Sequence, residues 1–213
     1  MKRRFLSAVI LLLGVISFSV KAQDQPPGQK PKPLEPSSLQ QQSEPAASAR
    51  VRSQAEKYFS DVELINQDGQ KMRFYSDVLK DKVVVINTFF TTCTGVCPPI
   101  NRSLERVQEA LGDRLGKDAF LISMSVDPET DTPSRLKEYS RRFHARPGWI
   151  FLTGKKENVD WALYKLGQYV ETKDNHTNII IIGNEPKGLW KKAFGLAKAD
   201  ELIKMVEDVI NDR

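Results

Sequence analysis

Two cysteines in the middle of the chain have the spacing of a chemical site. Cys93 and Cys97 follow an apolar, β-branched run and stand where Pro98 and Pro99 begin a helical pattern. Residues four apart at a helix start point to the same side, so the two sulfur atoms can share a metal ion or close a disulfide. The helix amino terminus favours thiolate over thiol, which suits both uses. The spacing alone leaves open a structural disulfide in an exported protein, dithiol redox chemistry and metal binding.

His176 adds a third candidate ligand. It stands directly before the apolar run Asn178–Ile182, again at the end of a predicted strand. If that strand neighbours the strand before Cys93, the imidazole faces the cysteine loop. Two thiolates and one imidazole form a soft site suited to Cu(I), and the same set holds Cu(II) when an oxygen ligand joins. Zinc would also accept these three ligands, but it needs a fourth, and the sequence shows no obvious one.

The second histidine and three methionines are expected in structural positions. His144 closes a predicted helix, where a cation suits the carboxyl-terminal end of the dipole. The methionines in question lie within apolar patterns typical of core residues: Met72, Met124 and Met205. None of these four residues is therefore a first choice as a copper ligand.

The elements around the candidate site alternate between strands and helices. Apolar runs predict buried strands at 82–90, 121–126, 149–152 and 179–182, with 189–194 as a hairpin partner of the last. Helical spacing predicts helices around 100–111, 133–143, 159–166 and 202–209, with Thr132 as an N-cap. A further hairpin, 62–65 with 71–74, precedes them around Asp68 and Gly69. The order predicts an α/β fold with a mostly parallel sheet, helices on both faces and an N-terminal hairpin.

The charge of the chain argues against nucleic acid as a partner. The formal net charge is +5, of which the first 22 residues supply +4 through Lys2, Arg3, Arg4 and Lys21. The remaining chain carries only +1 and has no basic run that could follow a phosphate backbone. Two cysteines and two histidines are also too few for a disulfide scaffold or a multi-zinc module.

The first 50 residues divide into a leader and a linker. Residues 1–22 combine a basic start, the apolar stretch Phe5–Val20 and a small-residue end, a pattern typical of a signal peptide or an N-terminal membrane anchor. Residues 23–50 are rich in Pro, Gln and Ser, so they are expected to be a disordered linker. The folded domain is expected to be residues 51–213.

Four ordered motifs in this domain resemble the SCO/SenC family. Residues 87–98 (NTFFTTCTGVCP) are similar to its copper-site loop, and residues 123–133 (SMSVDPETDTP) to its second signature. Residues 149–154 (WIFLTG) and His176-Thr177, followed by an apolar strand and Gly183, complete the series. The resemblance implies a thioredoxin-like fold and makes Cys93, Cys97 and His176 the copper ligands.

The chain also departs from that family at two places. Asn175 stands before the histidine where many members have an acidic residue, and Thr94 and Gly95 separate the cysteines where an acidic residue or proline is common. Losing negative charge near the metal alters its affinity and redox poise. Outer carboxylates are expected from three residues, of which the first two also suit turns and capping: Asp127, Asp131 and Asp174.

The resemblance implies an exported copper-binding assembly factor. Its client would be apo cytochrome c oxidase subunit II or another copper protein, which receives copper or has its cysteines kept reduced. An upstream copper donor or thiol reductant is also implied. The setting would be the periplasm or the outer face of the bacterial inner membrane, with a membrane tether if the leader is retained. The alternative is a metal-independent thiol–disulfide oxidoreductase, although such enzymes usually carry C-x-x-C and a proline where this chain has His176.

Overall fold

A seven-stranded sheet forms the centre of the molecule. The computed structural model describes residues 54–212. The strands are β1 (Glu63–Asn66), β2 (Lys71–Arg73), β3 (Val83–Phe89), β4 (Phe120–Ser125), β5 (Trp149–Thr153), β6 (Ile179–Asn184) and β7 (Leu189–Phe194). Their order across the sheet is β2-β1-β5-β4-β3-β6-β7. The fully buried β3 therefore lies near the middle, between β4 and β6.

The sheet is mixed, whereas the sequence pattern predicted a mostly parallel one. Only the pairs β3–β4 and β4–β5 are parallel. The pairs β1–β2, β1–β5, β3–β6 and β6–β7 are antiparallel. Short turns join β1 to β2 and β6 to β7 and permit only antiparallel pairing, so they account for two of these four pairs.

Helices cover both faces of the sheet, as predicted. They are α1 (54–59), α2 (Cys97–Leu111), α3 (Pro133–Arg142), α4 (Lys156–Lys165) and α5 (Ala199–Asn211). One core joins α2, α3 and α5 to the sheet face that carries Val83, Val85 and Phe89. The opposite core joins α1 and α4 to the face that carries Val84 and Ile86. The alternation of inward side chains along β3 thus supports both layers.

The local signals predicted the start of α3 correctly, whereas α2, α4 and α5 each begin three residues before the predicted start. Thr132 caps α3 through its side chain, which accepts from the Arg135 amide, and Pro133 occupies the first turn. The second strand of the N-terminal hairpin is shorter than predicted, because Phe74–Leu79 winds into a π-helix that buries four of its six residues. This π-helix fills the core beside α1, a role that no short-range pattern indicates.

The leader and linker predictions, 1–22 and 23–50, lie outside the described residues. Among residues 54–212, no helix combines the length and the apolar character that crossing a membrane requires.

Candidate metal centre

The sheet brings the two cysteines and His176 to one edge. Cys93 lies in the loop after β3, and Cys97 is the first residue of α2. His176 lies just ahead of β6, which pairs with β3. The strand after His176 is therefore a neighbour of the strand before Cys93, and the three predicted residues come together.

The three ligand atoms converge on one point. The two Sγ atoms and one imidazole nitrogen all lie within 4.8 Å of one another. Cys97 Sγ lies 3.4 Å from His176 Nε2. Both cysteines are free thiols; Cys97 is fully buried, whereas Cys93 is half-buried. A cavity of about 360 Å³ opens over them, lined by Phe90, the loop 92–96, Asp174 and His176.

The backbone fixes which nitrogen of His176 faces the sulfur atoms. Nδ1 lies 2.9 Å from the Lys173 carbonyl oxygen, which can only accept, so Nδ1 carries the proton and donates. In the neutral imidazole, the other nitrogen, Nε2, then presents its lone pair toward the cysteines. Phe90 packs edge-to-face on the imidazole, with ring centroids 5.3 Å apart. The ring is thus held in the tautomer that a metal requires.

Burial dominates the chemistry of Cys97 without metal. It raises the pKa of the Cys97 thiol to about 12, with the side-chain hydrogen bond between Cys97 and Cys93 as the next cause. The predicted thiolate preference at the helix start is therefore outweighed at this residue. Cys97 must lose its proton when it binds a metal or forms a disulfide, because a metal binds the thiolate and a disulfide sulfur carries no proton.

Asp131 ties the cysteine loop to the end of β4. Its fully buried carboxylate accepts from the Thr91 backbone amide at 3.2 Å and the Thr91 hydroxyl at 2.5 Å. It also accepts from the Ser125 hydroxyl at 2.6 Å. The loop-ordering role foreseen for Asp131 is the one that the structure shows. Of the other two carboxylates, Asp174 lines the cavity, and Asp127 pairs with Lys173.

The residues expected in structural roles lie apart from this cluster. His144 places Nδ1 2.6 Å from the Glu105 carboxylate, on an exposed side of α2. Met124 is fully buried, and Met72 and Met205 pack against the two cores. Within residues 54–212, the group formed by Cys93, Cys97 and His176 is the one that could hold a metal ion.

The donor set fits copper. Protein thiolate and imidazole ligands lie about 2.0–2.3 Å from a metal such as zinc, so atoms within 4.8 Å of one another can surround a single ion. Two sulfurs and one nitrogen favour a soft ion, and Cu(I) is the softest of the common candidates.

Sequence comparison then decides the family. A profile of SCO1/SenC proteins matches residues 50–211. The chain belongs to the SCO1/SenC family.

Relatives in this family share about half of the chain at the sequence level. An SCO2-like protein of Rickettsia conorii is 36% identical over 99 residues, which cover 46% of either protein. The chain thus spans about half the length of such a relative.

Solved structures of the family match more of the chain. Arabidopsis thaliana ScoI with copper bound is 25% identical, with a TM-score of 0.61, covering 73% of this chain and 99% of that one. BsSco is described as a member of the Sco family of cytochrome c oxidase assembly proteins, with a disulfide switch. It is also 25% identical, with a TM-score of 0.60, covering 73% and 94% respectively. The thioredoxin-like fold implied by the sequence motifs is confirmed.

The SCO1/SenC motifs also contain a buried hydrogen-bond chain that the sequence analysis missed. Trp149 donates to the Ser123 hydroxyl, which donates to Asn87. Asn87 donates to Asn101 on α2, which donates to the Tyr139 hydroxyl. Asn101 is one turn beyond Cys97, so these hydrogen bonds anchor the helix that carries Cys97. The polar residues Asn87 and Ser123 within apolar strand sequences could have indicated this buried network.

Proposed function

We propose that the protein is an exported copper-binding assembly factor for cytochrome c oxidase. The observation that carries this proposal is the convergence of Cys93, Cys97 and His176 within 4.8 Å. Copper is the cargo, delivered to the dinuclear copper site of subunit II. The copper-bound ScoI relative and the description of BsSco as an oxidase assembly protein support the assignment.

Each ligand has a separate part in this proposal. Cys97 provides a buried sulfur at the base of the site, and the half-buried Cys93 provides one that a client can reach. His176 presents Nε2 with its tautomer already set. Cu(I) is held by the two thiolates with or without the imidazole, whereas Cu(II) depends on the nitrogen and on an oxygen ligand. The exposed side of the cluster allows copper to leave by ligand exchange.

A second function uses the same cysteines without metal. The two free thiols lie close enough to form a disulfide after a small movement, and the cavity exposes Cys93 to a client. In that reaction Cys93 and Cys97 lose two electrons and two protons and form a disulfide, while a client disulfide gains them and becomes two thiols. This activity would make the protein a thiol–disulfide oxidoreductase. It would also serve oxidase assembly, by keeping the client cysteines reduced.

The proposed partners and location follow from this role. The client is apo subunit II or another copper protein, and the protein itself receives copper or electrons from an upstream donor. The leader pattern at 1–22 supports export to the periplasm or to the outer face of the inner membrane.

Anaerobic copper titration of the reduced chain tests the carrier function. One Cu(I) per chain, with both thiols protected from a thiol reagent, is the expected result. Cys93→Ser should abolish tight binding, because a hydroxyl is neither soft nor ionised near neutral pH. A parent chain that takes up no copper but exchanges rapidly with a client disulfide would overturn the carrier and favour the oxidoreductase.

Loading of the oxidised chain separates the two chemistries further. A disulfide consumes both sulfurs and leaves one imidazole, which cannot retain copper against ordinary competing ligands. The oxidised chain should therefore bind no tight copper until a reductant is added. Tight copper on the oxidised chain at the same site would contradict the proposed ligand set.

A further inference from the structure

The side chain of Lys173 links the segment that carries His176 to two other loops of the site. Residues Lys173–Asn175 form a short 3₁₀ turn that leads into His176. Lys173 extends from this turn and places Nζ 2.7 Å from Asp127 Oδ2. The same Nζ lies 5.3 Å from the centre of the Phe90 ring. One ammonium group therefore contacts the loop after β4 and the loop after β3.

The backbone of Lys173 continues the same set of contacts. Its carbonyl accepts from His176 Nδ1 at 2.9 Å and from the His176 amide at 3.1 Å. Phe90, which lies under the Lys173 ammonium, also packs against the imidazole at nearly right angles. Lys173, Phe90 and His176 thus form a closed ring of contacts, with Asp127 as its external anchor.

The anchor is firmly placed. The Asp127 amide donates to the Ser125 hydroxyl at 3.0 Å, and its carbonyl accepts from the Thr130 and Asp131 amides. Asp131 in turn holds Thr91 at the start of the cysteine loop. The turn that receives Lys173 is therefore the turn that orders the loop of Cys93, and it fixes both halves of the ligand set.

We propose that Lys173 is a positioning residue that holds the His176 imidazole against the two cysteine sulfurs before copper arrives. The inference rests on the proposed copper-binding function. The Lys173–Asp127 pair is partly exposed, with 38% and 12% of the side chains accessible. Exposed ion pairs add little to global stability, so the effect of this one falls on the placement of a ligand.

Ligand chemistry dictates which copper ion is affected. Cu(I) is satisfied by two thiolates, so a displaced imidazole costs it little. Cu(II) needs the nitrogen, and loss of a residue that orients a ligating histidine typically weakens metal binding by about 10–100-fold. Lys173→Met, which keeps the length of the side chain, should therefore weaken Cu(II) by about 10-fold or more and change Cu(I) by less than about 3-fold.

Conservative and paired variants sharpen the test. Lys173→Arg retains a cation that reaches Asp127 and should keep most of the Cu(II) affinity. Asp127→Asn should reproduce the loss seen in Lys173→Met. The double variant should lose no more than either single variant, because the two residues act through one contact.

Lys165 supplies the matched control. Its Nζ also lies over aromatic rings, 4.7 Å from the centre of Tyr58 and 4.6 Å from that of Trp161. Lys165 is on α4, and neither of these rings belongs to the candidate metal site. Lys165→Met should leave both copper affinities unchanged. All variants should melt within about 2–4 °C of the parent.

A metal-free measurement completes the experiment. In the reduced apo chain, NMR shifts of the His176 ring protons report the edge-on Phe90 ring, and they should move toward random-coil values in Lys173→Met but not in Lys165→Met. Unchanged NMR shifts together with parental Cu(II) affinity in Lys173→Met would overturn the positioning role. Equal losses of Cu(I) and Cu(II), or a matching loss in Lys165→Met, would also overturn it. A parent that binds no copper would instead defeat the proposed function, and the NMR comparison would still decide whether Lys173 holds the ring.

Discussion

The three candidate ligands differ in burial, in access to the cavity and in what orients the side chain. Cys97 is buried beneath the loop, with its pKa raised to about 12, so its proton leaves only when a metal or a second sulfur takes its place. Cys93 is partly open to the cavity. His176 is the one ligand whose orientation depends on a neighbouring backbone carbonyl. Substitutions at these positions should therefore give different phenotypes rather than one common loss.

His176→Ala should separate the two oxidation states of copper. Cu(I) stoichiometry should stay near one per chain, because the two thiolates remain. Cu(II) affinity should fall by at least about 10-fold, and the thiolate-to-Cu(II) absorption band should vanish or shift. Titration with each ion, followed by absorption spectroscopy, measures both effects.

His144→Ala is the control for this variant. Its imidazole pairs with Glu105, so both copper affinities should match those of the parent. If His176→Ala keeps the parental Cu(II) spectrum and affinity, His176 is not a ligand.

At the scale of elements, the cysteine loop depends on a carboxylate from a different loop. Asp131 collects the Thr91 amide, the Thr91 hydroxyl and the Ser125 hydroxyl in a fully buried position. Burial raises the pKa of Asp131, and the hydrogen bonds that it accepts oppose that shift. The three donor groups and the Asp131 carboxylate join the ends of β3 and β4, where the candidate site lies.

Asp131→Ala should therefore destabilise the protein and loosen the loop. It leaves the buried Ser125 hydroxyl and the half-buried Thr91 amide and hydroxyl without their acceptor, and an unpaired buried group costs about 1–3 kcal/mol. The free energy of unfolding, measured by urea denaturation, should fall by at least about 2 kcal/mol.

Asp160→Ala gives the scale for that measurement. Asp160 pairs with Lys156 on the exposed side of α4, so its loss should cost less than about 1 kcal/mol. Equal losses in the two variants would show that Asp131 has no special role in ordering the loop.

The helices and strands were largely predictable because their signals are local. Apolar spacing and Thr132 placed α3, and the β-branched run of β3 marked a strand covered on both faces. Strand direction was not predictable in this way. The antiparallel pairing of β6 with β3 depends on how the chain returns after α4, and no short pattern encodes that path.

The candidate ligands could be recognised from their residue types, but most of the contacts that position them could not. Cys93, Cys97 and His176 stand at strand ends and carry the chemistry in their own side chains. Asp127 was expected as an outer carboxylate, but Lys173 carried no signal in the sequence, and only the fold places the two side chains 2.7 Å apart. The need for glycine at position 183 is also visible only in the fold, because a methyl group there would overlap the indole of Trp190 on β7.

At the scale of the whole molecule, buried phenols link stability to pH. The Tyr139 hydroxyl lies in the core under α2 and accepts from Asn101. Burial raises the pKa of Tyr139 well above its usual value, with the nearby Cys97 as the next cause. A phenol with a raised pKa stabilises the fold fully below the unfolded value of about 10 and loses that contribution as pH rises above it.

Tyr139→Phe should therefore flatten the alkaline loss of stability. The free energy of unfolding of the parent should fall above about pH 10, and removing this phenol should lessen the slope by up to about 1.4 kcal/mol per pH unit. Slopes rather than absolute values are compared, because the variant also loses the bond from Asn101. Tyr164→Phe, whose ring is 63% exposed, should leave the slope unchanged. An identical slope in Tyr139→Phe and the parent would contradict the assignment.

The fold itself should not depend on the metal. Two apolar cores, one on each face of the sheet, join every described helix to β-strands, and neither core needs an ion to hold its elements together. Small zinc modules differ, since their folding free energy comes from the metal.

The reduced chain in a copper chelator should show native helix content by circular dichroism and one cooperative urea transition. Copper should then add stability only by mass action, about 2.7 kcal/mol at a free concentration 100 times the Kd. Without copper, Cys93→Ser should fold like the parent. Its free energy of unfolding should not increase when copper is added. A largely unfolded spectrum of the reduced, metal-free parent would contradict this prediction, because the copper site would then be a source of the fold rather than a product of it.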